Sequence, residues 1–581
     1  MKRYLFIILS IFLASCDLLE QESVSTTSPD IAFGSESGLQ LYINGFYPML
    51  PTASTIYAGD NMSDIIARKE IPEFYRDGAF GPVQSSGWTW TQLRNINYFL
   101  ENNINEGIDE EIRNHYNGIA RFFRALFYFE KVKRFGDVPW IPKTLDVDED
   151  DYLYGRRDSR VTIMQHIMDD LNFAIEHIGK SPNDRSRNYV TRYVAAAYKS
   201  RVALFEGTFR KYHTNYNLTD SVQWLLEAAV EAADVVMQEG NFSLNISGNE
   251  PYADLFLSDE VKESEFILAN SYDTDLGILH SANWYYTSST YGDRLNFTRR
   301  FINTYLNIDG TPFTQNPAYQ TTTFPAETNN RDKRLSQTIR TPGYTREVAG
   351  KTQQTPPVFS YTYTGYQPRK WVTANTSHDN GTFNTNSIPI IRYAEVLLNF
   401  AEAKAELGTL TDSEWAETIG ALRSRAGITA GLDSKPTVVD GYLQEQFYPN
   451  ISDPAILEIR RERAIELALE GFRFYDMVRW KCGESIEHSW NGFYVDELNT
   501  PLDLNQDGVD DVLFYQGDQP SVGSGVTAVE LAGDLRLSEG TRGELIWLYG
   551  TTIKWDDKFY LYPIPEADRL INPDLGQNPG W

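Results

Sequence analysis

A mainly helical fold, built from pairs of helices and interrupted by a long loop-rich region, is predicted by three observations. Apolar residues recur every three to four positions through most of 37–240, the recurrence fades over 241–387, and it returns over 388–482. In the third helical stretch Ile112, Tyr116, Ile119, Phe123 and Phe127 form one apolar stripe, which a neighbouring helix has to cover.

Ahead of the helices, Lys2 and Arg3 precede an apolar run from Tyr4 to Leu13 and then Leu-Ala-Ser-Cys, ending at Cys16. A membrane-spanning helix needs roughly 20 apolar residues, and this run is half that length, so 1–15 is expected to be a secretory signal peptide. The Leu-Ala-Ser-Cys motif has the form of a bacterial lipobox. Cleavage there leaves Cys16 with diacylglycerol on its sulfur and an acyl chain such as palmitate on its amine. Each buried methylene adds about 0.8 kcal/mol, so several chains anchor a protein durably. The polar segment 16–36 is expected to be a lipidated tether, with a single folded domain over 37–581.

The first helical block contains stretches at 37–50, 90–104, 110–136, 162–179, 191–207 and 224–240. Gly, Pro, Thr, Asn and Tyr then accumulate over 241–387, where short strands at most are expected. Long irregular insertions on a rigid scaffold usually carry function, so ligand-side residues are expected here and in the loop-rich 483–581. Helical pattern returns at 390–408, 413–427 and 454–480, the last opened by Asp453 and Pro454 as cap and first helical residue. Helix pairs of this size suggest tetratricopeptide-like stacking, although no clean 34-residue repeat is present.

The net charge of −28, without a long basic run, argues against nucleic-acid binding. Cys482 is the only cysteine besides Cys16, so no internal disulfide, CxxC zinc site or CxxC redox motif is available. Motifs of the GxSxG, HExxH and phosphate-loop kinds are absent and the seven histidines are dispersed, so no catalytic cofactor is expected.

Four separated stretches carry a resemblance: RFFRALFYFEKVKRFGDVPW, IIRYAEVLLNFAEAKAELG, RRERAIELALEGFRFYDMVRW and LYPIPEADRLINPDLGQNPGW. Together with the lipobox they are similar to the SusD/RagB family of nutrient-uptake lipoproteins. The resemblance implies a helical fold with tetratricopeptide-like pairs, lipid anchoring at the outer membrane facing outside, and a SusC-like TonB-dependent transporter as partner. It implies capture of an oligosaccharide without catalysis; a peptide-binding relative and a glycan-degrading enzyme stay open as alternatives. The charges from Arg460 to Glu470 are expected to stitch a helix to its neighbours rather than to perform chemistry.

Sugars present apolar C–H faces between hydroxyls, so a glycan site needs aromatic platforms beside carboxylates, amides or guanidinium groups. Two segments supply both: Asp60, Asn61, Asp64, Arg76, Trp88, Trp90 and Asn95, and then Trp284, Tyr285, Tyr286 and Tyr291 with Asp293 and Arg294. In starch-binding family members an arginine, a tryptophan and an asparagine from the early region meet later aromatics. Arg76, Trp90 and Asn95 have similar spacing. Trp90 also opens a helix, where it could simply pack inward, and the row from Trp284 to Tyr286, if extended, must turn at least one ring outward.

Asp503, Asn505, Asp507, Val509 and Asp511, with Gly508 at the turn, match the early half of a calcium loop, Val509 through its carbonyl. The twelfth position holds Phe514 where a bidentate glutamate belongs, so a structural calcium competes with a plain polar turn.

Overall fold

The computed structural model describes residues 29–179 and 186–581, and helices dominate it. The expected signal peptide and Cys16 lie outside the described residues. Order begins ahead of Ser37, which corrects the tether boundary: helix α1 (Pro29–Phe33) places the Phe33 ring 5.5 Å from Tyr42 and 5.7 Å from Phe99. Burying one aromatic side chain contributes about 1.5–3 kcal/mol, enough to hold so short a helix on the body.

Helices α2 (Glu36–Asn44), α3 (Ala53–Tyr57) and α4 (Thr91–Asn102) lead into α5 (Glu110–Phe135), the longest of the described helices. Asp109 caps α5 by accepting from Glu111 N at 2.9 Å, and Glu110 and Glu111 at its start and Lys133 and Arg134 at its end complement the helix dipole. Tyr116, Ile119, Phe123 and Phe127 of the expected stripe are buried, and Ile112 packs at the edge of the core. α5 pairs with α6 (Arg160–His177), and α7 (Arg192–Tyr212) pairs with α8 (Val222–Glu239). A Cβ on Gly118 of α5 would stand 2.8 Å from Ile178 Cγ1, so the glycine lets the end of α6 approach closely.

The loop-rich region holds more helix than expected. Besides short strands it contains Pro251–Leu257, Lys333–Thr338 and α9 (Ala282–Thr287). The second helical block follows, with α10 (Tyr393–Glu406) against α11 (Pro454–Glu466), and α10 also packs on α7 and α8, joining the two blocks. The final stretch, expected to be one helix, is broken: Leu469 and Gly471 take φ of 61° and 82°, and α12 (Arg473–Arg479) restarts beyond them.

The strands are short. β1 (Ile66–Ala67) pairs antiparallel with β3 (Asn296–Phe297), and β2 (Phe266–Asn270) with β4 (Ile388–Arg392). β5 (Trp490–Val495), β8 (Leu535–Leu537) and β9 (Gly543–Trp547) form a three-stranded sheet with β9 central, while β6 (Val512–Tyr515) and β7 (Thr527–Glu530) run parallel. One apolar cluster runs through both helical blocks, and a smaller one gathers about Trp415 between α10 and α11.

The charges of α11 are interior. Glu466 accepts from Arg334 at 3.0 Å, from Arg392 at 2.5 Å and from Arg425, and Arg392 also reaches Glu265 at 3.1 Å and Glu470 at 2.8 Å. Burial alone would raise the Glu466 carboxyl, but the three guanidinium groups hold it well below its ordinary value. The expected stitching role holds, with the stitches drawn in the core instead of on the surface.

Candidate functional site

The early segment divides between interior and surface. Asp60 is fully buried, accepting from Leu469 N at 2.7 Å and Arg473 N at 3.1 Å, and burial pushes its carboxyl up to about 6. Asp64 is buried too. Burial acts to raise its pKa, but the Arg473 guanidinium at 2.6 Å and Ser485 Oγ at 2.8 Å bring it down to about 2. Both expected ligand carboxylates are therefore corrected to structural ones: they clamp the turn between α11 and α12, and their oxygens are spent. Half-buried Asn61 gives its carbonyl to Arg68 at 3.3 Å.

Arg76 is exposed and pairs with Glu73 at 3.2 Å. Trp88 is buried against Phe135 at 5.0 Å and meets Trp90 edge-on at 5.5 Å. Trp90, half-buried beside Phe127, flanks a groove of about 670 Å³ with Trp88, Arg94, Lys143 and Tyr152. Neither Arg76 nor Asn95 lines that groove, so the expected arginine–tryptophan–asparagine grouping does not assemble there.

The later segment builds a different surface. α9 is helical, so the alternation that an extended chain would impose does not apply, and yet one ring stays partly exposed. Tyr285 and Tyr286 are buried, the latter donating its hydroxyl to Tyr57 O, whereas Trp284 stays half-exposed. Trp284 stacks on Tyr291, centroids 3.9 Å apart and planes 16° from parallel. Gly292 makes the return possible: its φ is +77°, and a Cβ would lie 2.7 Å from Tyr285 O.

Pairing of β1 with β3 brings Arg68, just after β1, beside Asp293 and Arg294, just before β3. Arg68 Nη2 donates to Asp293 at 2.7 Å, and Tyr285 donates to the other carboxylate oxygen at 3.2 Å. Arg294, with φ of 47°, donates from Nη1 to the Tyr363 hydroxyl at 2.8 Å. Tyr363 stacks on Trp547 at the end of β9, 3.8 Å apart and 11° from parallel, and Trp547 Nε1 donates to Arg68 O at 2.9 Å. The Tyr363–Trp547 pair is thus tied to Arg294 and, through the Trp547 N–H, to Arg68 of the Arg68–Asp293 ion pair, and the Trp284–Tyr291 pair meets that ion pair through Tyr285, whose ring lies 6.3 Å from Tyr291. Sequence reasoning marked Trp284, Tyr291, Asp293 and Arg294 but missed Arg68, Tyr363 and Trp547. The aromatic run near 360 was a signal for Tyr363; nothing local marked the other two.

In the expected calcium loop the side chains cap the chain itself. Asp503 accepts from Asp507 N at 3.3 Å and Gly508 N at 2.8 Å, Asn505 from Asp507 N at 3.0 Å, Asp507 from Val509 N at 2.9 Å, and Asp511 from Leu504 N at 2.8 Å. Among the described residues no cluster of three or more His, Cys, Asp or Glu side chains is arranged to hold a metal.

The sequence model of the SusD family matches residues 264–581, more than half of the chain. The chain belongs to the SusD family. A second family model, described as starch-binding and associating with the outer membrane, matches residues 85–204. SusD-like protein P2 of Formosa agariphila is 27% identical over 526 residues, which is 84% of this chain and 92% of that protein. A SusD-like protein of Bacteroides fragilis superposes with a TM-score of 0.67 at 22% identity, covering 96% of this chain and 99% of its own. A SusD-like carbohydrate binding protein of the same species gives 0.65 at 20% identity, covering 94% and 99%. These likenesses confirm the SusD fold, a helical scaffold carrying short sheets. Among the described residues no helix is long and apolar enough to cross a membrane.

Proposed function

We propose that this SusD-family chain captures an oligosaccharide on the face built by Trp284, Tyr291, Arg294, Tyr363 and Trp547, and passes it to a SusC-like TonB-dependent transporter in the outer membrane. The observation that carries the reading is the two stacked ring pairs linked through Tyr285, the Arg68–Asp293 ion pair and the Trp547 N–H. Stacking fixes each ring as a flat apolar platform, and Arg294 and the Arg68–Asp293 pair stand beside the platforms as partners for hydroxyls. Asp293 is occupied by Arg68 and Tyr285, so the central carboxylate is ion-paired rather than poised as an acid. Most glycoside hydrolases use a pair of carboxyl groups flanking the scissile bond; capture without bond breaking suits this face better. In this reading Cys16 carries the lipid that holds the chain at the outer surface.

Calorimetric titration of the chain lacking residues 1–16 against panels of glycans and peptides tests the proposal. Saturable binding to a glycan without product release supports it. Binding to peptides alone overturns the ligand class, and release of shorter sugars overturns the non-catalytic role.

A further inference from the structure

A cavity of about 720 Å³ lies between Arg460 of α11 and Trp480, the residue that closes α12, and it shares no lining residue with the ring face. Phe447, Tyr448, Trp480 and Tyr560 line it, and all four are buried. Their polar atoms already have partners. The Tyr448 hydroxyl accepts from Arg473 at 2.8 Å, the Tyr560 hydroxyl accepts from Gly483 N at 3.1 Å, and Trp480 Nε1 donates to Glu402 at 2.7 Å.

Two guanidinium groups that line the same cavity lie on these rings. Arg300 stands 3.9 Å over Phe447, and Arg460 stands 4.5 Å over Trp480 and 5.2 Å over Tyr448. The Phe447 and Tyr448 rings are 6.0 Å apart, so both cations serve one space. With rings on its faces, a guanidinium bonds through its N–H edges. Neighbouring arginines spend those edges on carboxylates: Arg473 holds Asp64 at 2.6 and 2.8 Å, and Arg479 holds Glu402 and Asp476, each at 2.8 Å. Arg300 and Arg460 are less well served. Arg300, partly exposed, donates from Nη1 to the Ser485 carbonyl and makes no ion pair among the described residues. Arg460 reaches Glu406 only at 3.4 Å, and that carboxylate is shared by Lys211 at 2.7 Å and Tyr212 at 2.8 and 2.9 Å. Nη2 of Arg300 and Nη1 of Arg460 have no hydrogen-bond partner among the described residues, and neither atom is fully enclosed. Burial lowers the Arg300 pKa from its ordinary value despite Asp64 nearby, which fits a cation short of counter-charge. The acids that line the cavity, Glu445, Glu484, Glu487 and Asp557, are all exposed, where solvent and salt screen them; the arginines act at close range.

We infer that this cavity is a second binding site, for a compact organic carboxylate whose anionic end is held by Arg300 and Arg460 and whose flat apolar body lies against Phe447, Tyr448 and Trp480. A bare inorganic anion would leave the ring walls uncovered. The inference does not rest on the glycan reading, since no residue is shared.

2-Naphthoate is the probe, and 2-naphthamide is its uncharged isostere. Calorimetric titration of the chain lacking residues 1–16, in buffer free of phosphate, sulfate and carboxylates, should show saturable one-to-one binding of naphthoate, with a raised thermal midpoint. Naphthamide should bind more weakly by about tenfold or more, because hydrogen bonds to a charged group are the stronger ones. Arg300→Gln replaces a partly exposed residue whose one partner is a carbonyl; it should fold and weaken naphthoate binding roughly 10- to 150-fold, the range for a hydrogen bond to a charged group. Arg460→Gln should weaken it similarly; should that variant fail to fold, Arg300→Gln and naphthamide decide. Absence of saturable naphthoate binding to the parent chain, equal affinity for naphthamide, or unchanged affinity in Arg300→Gln overturns the site.

Discussion

Asp64 and Glu402 look from their residue type like surface acids, and each is buried on an arginine. For both, burial acts to raise the pKa, while the guanidinium of Arg473 or Arg479 brings the carboxyl down to about 2, from ordinary values of 3.8 and 4.5. A carboxylate depressed in the folded state contributes stability that is present above its unfolded pKa and lost as pH falls through the folded one. The thermal midpoint is therefore expected to fall between pH about 4.5 and 2, and Glu402→Gln should flatten that part of a calorimetric pH series. Gly292 acts through conformation. Gly292→Ala meets both a positive φ and the Tyr285 carbonyl 2.7 Å away, and should cost more than about 1 kcal/mol in chemical denaturation while weakening ligand binding. Individual site residues were partly legible. The Trp284 cluster announced itself by composition, whereas Asp60 and Asp64 carry the same letters as ligand carboxylates and only burial separates them. Arg68 and Trp547 have no local signal, because strand pairing brings Arg68 to Arg294 and a ring stack brings Trp547 to Tyr363, each from far along the chain.

At the scale of elements, the helices were legible because period-3.6 burial marks them directly, and α5 appears with the stripe its sequence announces. The break between α11 and α12 was not. Leu469 adopts the left-handed region, which side chains other than glycine seldom enter, and it is held there while its amide donates to Asp60 at 2.7 Å. The charges of α11 do stitch it to its neighbours, but where spacings of three and four residues usually describe a solvated face, here they describe a buried lattice centred on Glu466. Removing one member strands the rest. Glu466→Gln leaves Arg334, Arg392 and Arg425 short of a counter-charge and should destabilise the chain by about 3–5 kcal/mol in urea unfolding. A loss below about 1 kcal/mol would mean that the neighbouring carboxylates suffice.

Across the whole molecule, the division into helical blocks and a loop-rich region was readable from where periodicity fades and returns. How the blocks dock was not readable, because that depends on contacts such as α10 on α7 and α8 between distant segments. The cavity that Arg300 and Arg460 line likewise draws its walls from distant segments, and no motif announces it. In the proposed reading Cys16 anchors the chain: Cys16→Ala should shift the protein from the membrane to the soluble fraction, and protease shaving of intact cells should remove the wild-type protein if it faces outward. Protection of the intact chain would place it on the periplasmic side.

The central claim is that the partly exposed rings Trp284, Tyr291 and Trp547 bind sugar and do not hold the fold. It is tested most directly by titrating wild type and Trp284→Ala with the tightest-binding oligosaccharide of the panel, with thermal midpoints measured on the same samples. The account predicts a loss of about 1–3 kcal/mol in binding, the range for removing a central aromatic contact, with the midpoint unchanged. Intact affinity with a lowered midpoint would return Trp284 to the core and contradict it.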